Sequence, residues 1–125
     1  MFDFSGKNVL ITGASYGLGE QFAKDFAQAG ANLIVTARGE EQLKELAKSC
    51  ENIGSKVVAV PGDVSIEQDV NRVITEGIKE LGHIDVLINN AGIADPRGVC
   101  PEQYDSETFN NILAVDLVGA FYYAR

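Results

Sequence analysis

A chain of 125 residues is long enough for one modest domain with a core of its own. Its apolar content of 46% and charged content of 22% are ordinary for a soluble globular protein. A net charge of −8 argues against general affinity for nucleic acid or an anionic membrane, and no apolar run approaches the ~18 residues of a membrane span.

The start Met1-Phe2-Asp3-Phe4-Ser5-Gly6-Lys7 lacks the basic and apolar regions of a signal peptide. Val9-Leu10-Ile11 then reads as a short buried strand. A glycine-rich turn leads into a helix opening at Gly17 or Leu18, whose Leu18, Phe22, Ala23, Phe26, Ala27 and Ala29 recur at helical spacing. Gly30 is its left-handed cap. Leu33 to Ala37 form a second strand, apolar on both faces like an interior parallel strand. A second helix runs from Glu40 to Ile53 with Gly54 as terminator, followed by a third strand from Lys56 to Val60. Ser65 is placed to cap a third helix with Gln68 as its capping-box partner, and Ile66, Val70, Val73, Ile74, Ile78 and Leu81 form its apolar stripe. Gly82 closes it. Ile84 to Ile88 form a fourth strand running into Asn89-Asn90-Ala91-Gly92, and a loop with Pro96, Gly98 and Pro101 precedes a helix capped by Ser106.

Strand and helix alternate throughout, which implies parallel βαβ units. Three strands wound outward, then a return to the other side of the first, give an α/β sheet of order 3-2-1-4. Its switch point lies between strands one and four, and ligands bind outside the carboxyl ends there. Residues 1–125 read as one domain without internal repeats. Cys50 and Cys100 lack metal-ligand spacing and read as reduced bystanders, in keeping with a cytoplasmic protein and with no metal site.

The turn Thr12-Gly13-Ala14-Ser15-Tyr16-Gly17-Leu18-Gly19 carries the clearest chemistry. A strand, a glycine turn and a helix amino-terminus in that order make a phosphate cradle, because turn N–H groups and the helix dipole point positive charge at one spot. Side chains would hold a pyrophosphate off the backbone. At ordinary glycine usage the pattern arises by chance in about one chain of this length in several hundred. With its leading threonine, T-G-x-x-x-G-x-G resembles the cofactor loop of the short-chain dehydrogenase/reductase family. Asn89-Asn90-Ala91-Gly92 matches that family's N-N-A-G motif, and the resemblance runs from about Gly6 to the last residue.

The resemblance implies a doubly wound sheet of Rossmann type, truncated here, and hydride transfer between a nicotinamide and a carbonyl or alcohol carbon. It implies dinucleotide contacts from Thr12, Gly13, Ser15, Tyr16, Gly17, Leu18 and Gly19. Asp63 would accept from the adenine amine and the Val64 N–H would meet the ring, while the amides of Asn89 and Asn90 would bond neighbouring backbone and the cofactor ribose together, and Ala91 and Gly92 would leave room for the dinucleotide. Arg38 follows the second strand, where an acidic residue would grip a ribose and an arginine would pair with a 2′-phosphate. NADP is therefore favoured over NAD, with Glu40 and Glu41 close enough to temper the preference.

The family's general acid is a tyrosine followed four residues later by a lysine, with a serine before it. Tyr16 is followed at that spacing by Glu20 and Tyr104 by Thr108, and neither Tyr122 nor Tyr123 has a residue at that spacing. Asp116 in Val115-Asp116-Leu117 stands where many members have the asparagine of the catalytic tetrad. A role through its main-chain carbonyl survives that change; the amide donor does not. The expectation is an amino-terminal portion of such an enzyme, inactive alone, acting when intact on a small carbonyl or alcohol as a homo-oligomer. The alternative is a non-catalytic nucleotide-binding module. A methyltransferase-like domain would want an acid where Arg38 stands, and epimerase-like relatives would want a glycine at Tyr16. His83 reads as a turn residue, and Glu40, Glu41, Glu76 and Glu80 as solvated helix faces.

Overall fold

The structure is a computed structural model that describes residues 3–15, 17–90 and Glu107. Its elements in chain order are β1 (Asn8–Thr12), α1 (Gly17–Gln28), β2 (Asn32–Thr36), α2 (Glu40–Ile53), β3 (Val57–Ala59), α3 (Glu67–Leu81) and β4 (Val86–Ile88). The strands form one parallel sheet ordered β3-β2-β1-β4, as the alternation of elements implied. β1 pairs with β2 from Asn8↔Asn32 to Thr12↔Thr36, and Ile11 pairs with Ile88 on its other side. The carboxyl ends of β1, β2 and β4 thus finish level.

Successive residues of a strand point to opposite faces, so a sheet covered on both sides needs apolar residues at every position. Val9, Ile11, Leu33 and Val35 pack on one face with Ala23, Ala27, Leu43, Leu46 and Cys50. Leu10 and Ile34 pack on the other with Val60, Val70 and Val73. α1 approaches the sheet through small residues, Gly19, Ala23 and Ala27, whereas α2 buries Leu43, Leu46, Ala47 and Cys50 and α3 buries Val70, Val73 and Gly77. At Gly77 a Cβ would stand 3.0 Å from Ile34 Cγ1, so a side chain there requires Ile34 or α3 to shift.

Glycine ends the first two helices as the sequence suggested. Gly30 and Gly54 take φ of 94° and 117°, and Gly54 N donates to Glu51 O while Ser55 N donates to Cys50 O. This returns two orphan carbonyls of α2 to hydrogen bonding. At the amino ends of the strands, Asn8 is buried and fully used. Its Nδ2 donates to Leu81 O and His83 O at 3.2 and 2.9 Å, and its Oδ1 accepts from Asn32 Nδ2 at 3.1 Å. His83 lies in the exposed turn before β4, its Nε2 3.0 Å from Asp85 Oδ2.

Three expectations need correction. Ser65 does not cap α3; the N-cap is Ile66, with no side-chain cap bond, and Gln68 therefore has no capping box to complete. Leu18, Ile66 and Ile78 are not inward but 68%, 46% and 42% exposed. Leu18 and Ile78 each lie one residue, about 100° of helix rotation, from the small residue that faces the sheet. Ile66 precedes the helix with extended backbone, so the helical stripe does not reach it. The outer strands are also shorter than the apolar runs suggested, ending up as Val57–Ala59 and Val86–Ile88. Glu107 is helical and exposed. The loop with Pro96, Gly98 and Pro101, the Ser106 cap and the rest of that helix lie outside the described residues.

Candidate functional site

The turn after β1 is held from both sides. Thr12 is buried, and its Oγ1 accepts a hydrogen bond from Asn90 N at 3.0 Å. Asn90 Nδ2 reaches back to donate to Gly13 O at 3.2 Å. On the other side Ala14 N donates to Thr36 O at 3.2 Å. The end of β4 and the end of β2 therefore clasp the turn between them. Gly13 and Gly17 have φ of 63° and 61°, a left-handed backbone that a Cβ disfavours.

Gly19 has a different reason to be glycine. A Cβ there would run into Gly13 O and stand 2.6 Å from Asn90 Nδ2. The first turn of α1 thus sits directly on the clasped turn, and its leading N–H groups, which have no intrahelical partner, open beside it. Gly17 faces the other way: a Cβ there would meet no atom of the described residues within 4 Å. Leu18, two-thirds exposed, lies at the rim. Tyr16 lies outside the described residues.

Arg38 comes two residues after β2 and is exposed, whereas Ala37 before it is buried. Among the described residues Arg38 makes no ion pair. Glu40, which the sequence offered as a competing charge, is 3.1 Å from Lys44 in an exposed i,i+4 pair on α2. Gly39 caps α2, and a Cβ on it would stand 4.0 Å from Ser15 Oγ, which brings the turn after β2 beside the glycine turn.

The loop after β3 completes the row. Gly62 N donates to Ala37 O at 3.1 Å, fixing this loop to the end of β2. Asp63 is half-buried and Val64 buried. Asp69 and Arg72, from the first turns of α3, brace the loop: Asp63 N donates to Asp69 Oδ2 at 2.9 Å and Arg72 Nη2 to Pro61 O at 2.6 Å. Asn89, exposed, ends the row beside β4.

Thr12, Gly13, Ser15, Gly17, Leu18, Gly19, Arg38, Asp63, Val64 and Asn89 therefore emerge along one edge of the sheet, at the carboxyl ends of its strands. Ala91, Gly92 and Asp116 lie outside the described residues. The sequence named Asn89 and Asn90 together without a sign of which turns inward, and it did not single out Asp69 or Arg72, which sit off the apolar stripe of α3.

The sequence model of short chain dehydrogenases matches residues 7–125. The chain belongs to the short-chain dehydrogenase family. This is a family of NAD(P)-binding oxidoreductases. An 11-beta-hydroxysteroid dehydrogenase of Pinus massoniana is 38% identical over 121 residues, covering 96% of this chain and 34% of that protein. A putative short-chain alcohol dehydrogenase of Sinorhizobium meliloti superposes with a TM-score of 0.89 at 38% identity, over 98% of this chain and 48% of its own. The 3-ketoacyl-(acyl-carrier-protein) reductase of Brucella melitensis, solved in complex with NADH, gives 0.91 at 34% identity, over 98% and 49%. The chain thus spans about a third to a half of the length of these short-chain dehydrogenases.

The clasped turn fits the dinucleotide such enzymes bind. Its glycines leave the outer side of the turn bare at Gly17, while the inner side at Gly19 is filled by its own backbone. No helix of the described residues is long and apolar enough to cross a membrane.

Proposed function

We propose that this chain is the cofactor-holding portion of an NADP-dependent reductase or dehydrogenase acting on a small carbonyl or alcohol. The observation that carries the reading is the glycine turn clasped by Asn90 at the amino-terminus of α1, at the switch point between β1 and β4. Bound there, the dinucleotide would supply a nicotinamide able to give or take a hydride. The residues of this chain bind and orient it. N–H groups of Ser15 to Gly19 face the pyrophosphate, with Tyr16 contributing from the same turn and the helix dipole adding to the attraction. Arg38, free of any ion pair among the described residues, faces the 2′-phosphate. Asp63 and Val64 take the adenine, Asn89 the ribose, and Ala91 and Gly92 leave room for the dinucleotide.

Asp116 is the chain's own candidate for the catalytic tetrad, through its carbonyl. No tyrosine of the 125 residues is followed four positions later by lysine, so the chain alone is expected to have no turnover. The intact protein is proposed to be a cytoplasmic homo-oligomer. A purely nucleotide-binding module is the weaker reading, since the matching family is one of oxidoreductases.

Calorimetric titration with NADPH and NADH tests the proposal. The expected result is NADPH binding about tenfold tighter, the worth of one charge-assisted contact to phosphate. Arg38→Asp should reverse the order. A chain that binds neither dinucleotide would overturn the reading, and oxidation of NADPH by the 125-residue chain with any ketone would overturn its inactivity.

A further inference from the structure

The loop after β3 holds its main chain and its carboxylate by separate means. The main chain is pinned by Gly62 N to Ala37 O, by Asp63 N to Asp69 Oδ2, and by Arg72 to Pro61 O. None of these fixes the Asp63 side chain. Among the described residues that is done by Ser65 alone: its N–H donates to Asp63 Oδ1 at 2.9 Å and its hydroxyl to the same oxygen at 2.6 Å. Oδ2 makes no hydrogen bond among the described residues. Nor is the Ser65 hydroxyl capping α3, whose N-cap is Ile66 without a side-chain bond.

Two donors on one oxygen set both side-chain torsions of an aspartate, and they leave the second oxygen as an acceptor aimed in one direction. We propose that Ser65 is a positioning residue that orients the Asp63 carboxylate so that Oδ2 receives the exocyclic amine of the cofactor's adenine. The inference rests on the dinucleotide reading above and adds to it the residue that makes the adenine contact directional. Without the hydroxyl, the carboxylate regains rotamers that binding must freeze again. Immobilising one such side chain is worth roughly threefold to tenfold in affinity. A threonine keeps both donors and should serve equally.

The experiment compares two ligands across three proteins: NADPH and its hypoxanthine counterpart, in which the amine is replaced by oxygen, titrated into wild type, Ser65→Ala and Ser65→Thr. Wild type should prefer NADPH. Ser65→Ala should weaken NADPH roughly threefold to tenfold and leave the hypoxanthine dinucleotide no weaker, because that ligand has no amine to donate. Ser65→Thr should restore the wild-type preference. The ratio of the two affinities within one variant is its own control for folding, since a loosened loop weakens both ligands together. Equal weakening of both by Ser65→Ala, or no change in either, would overturn the inference. Wild type binding both ligands equally would overturn it through Asp63 while leaving the dinucleotide site standing. Wild type binding neither would overturn the site and the inference alike.

Discussion

Gly19→Ala sets two opposed effects against each other, and the structure decides between them. Alanine is the better helix former by about 1 kcal/mol in a helix interior, and Gly19 lies within α1 with ordinary helical backbone. The new methyl group, however, would collide with Gly13 O and stand 2.8 Å from Gly13 C. A backbone carbonyl already held by Asn90 cannot swing aside as the tip of a long side chain can. Relieving such overpacking costs about 1–3 kcal/mol, and losing the Asn90 hydrogen bond costs about 1 kcal/mol more. The net expectation is a loss of about 2 kcal/mol despite the gain in helix propensity. Gly17→Ala is the comparison, because its methyl group meets nothing of the described residues within 4 Å and the left-handed backbone is what resists it, at about 1 kcal/mol. Urea unfolding followed by circular dichroism at 25 °C measures both. Gly19→Ala should be the less stable of the two and should also lose dinucleotide binding. If it matches or exceeds wild-type stability, the close contact between α1 and the turn is not a constraint and the explanation of Gly19 is wrong.

Two further outcomes follow from groups outside the site. The backbone N–H of Asn8 donating to Asp85 holds that carboxyl below its ordinary value of 3.8, with His83 adding to the effect. The unfolded chain therefore takes up this proton first, so the Asp85 contribution is present above about pH 4 and is lost as the pH falls below it. Asp85→Asn should flatten the fall in stability between pH 4 and 2.5 relative to wild type; an unchanged slope would assign the acid sensitivity elsewhere. Burial pushes the Cys50 thiol above its usual value, so in a Cys100→Ser background it should react with a disulfide reagent only on unfolding. Rapid labelling of the native protein would contradict its place in the core.

Much of this architecture is legible from periodicity and glycine. α2 runs from Glu40 to Ile53 as expected because Gly39 and Gly54 bracket a clean apolar stripe. The strand order follows from alternation, because helices must return the chain for each parallel strand. What escaped the sequence has a common cause. The apolar stripe of α1 includes Ala23 and Ala27, which are buried, but hydrophobicity offers Leu18 for the core where the structure buries Gly19 instead. A helix lying close on a sheet needs its smallest residues at the line of contact, with larger ones packing on the flanks. The same holds for Gly77 beside the exposed Ile78.

The site shows the same limit at shorter range. Ser65 and Gln68 have the spacing of a capping box, but a serine two residues after an aspartate has a nearer acceptor, and the local bond to Asp63 wins. Asn89 and Asn90 are chemically equal in the sequence. Only the backbone of β4, which directs Asn90 at Gly13 O and leaves Asn89 exposed, assigns Asn90 to the clasp.

Backbone amide spectra of the labelled chain, recorded during titration with NADPH, test most directly that the carboxyl edge of the sheet is the dinucleotide site. The account predicts shifts confined to Thr12 to Gly19, Arg38, Gly62 to Val64, and Asn89 to Gly92, with Asn8, Lys56 and His83 at the far end unmoved. Shifts centred on that far end, or none at saturating cofactor, would contradict it.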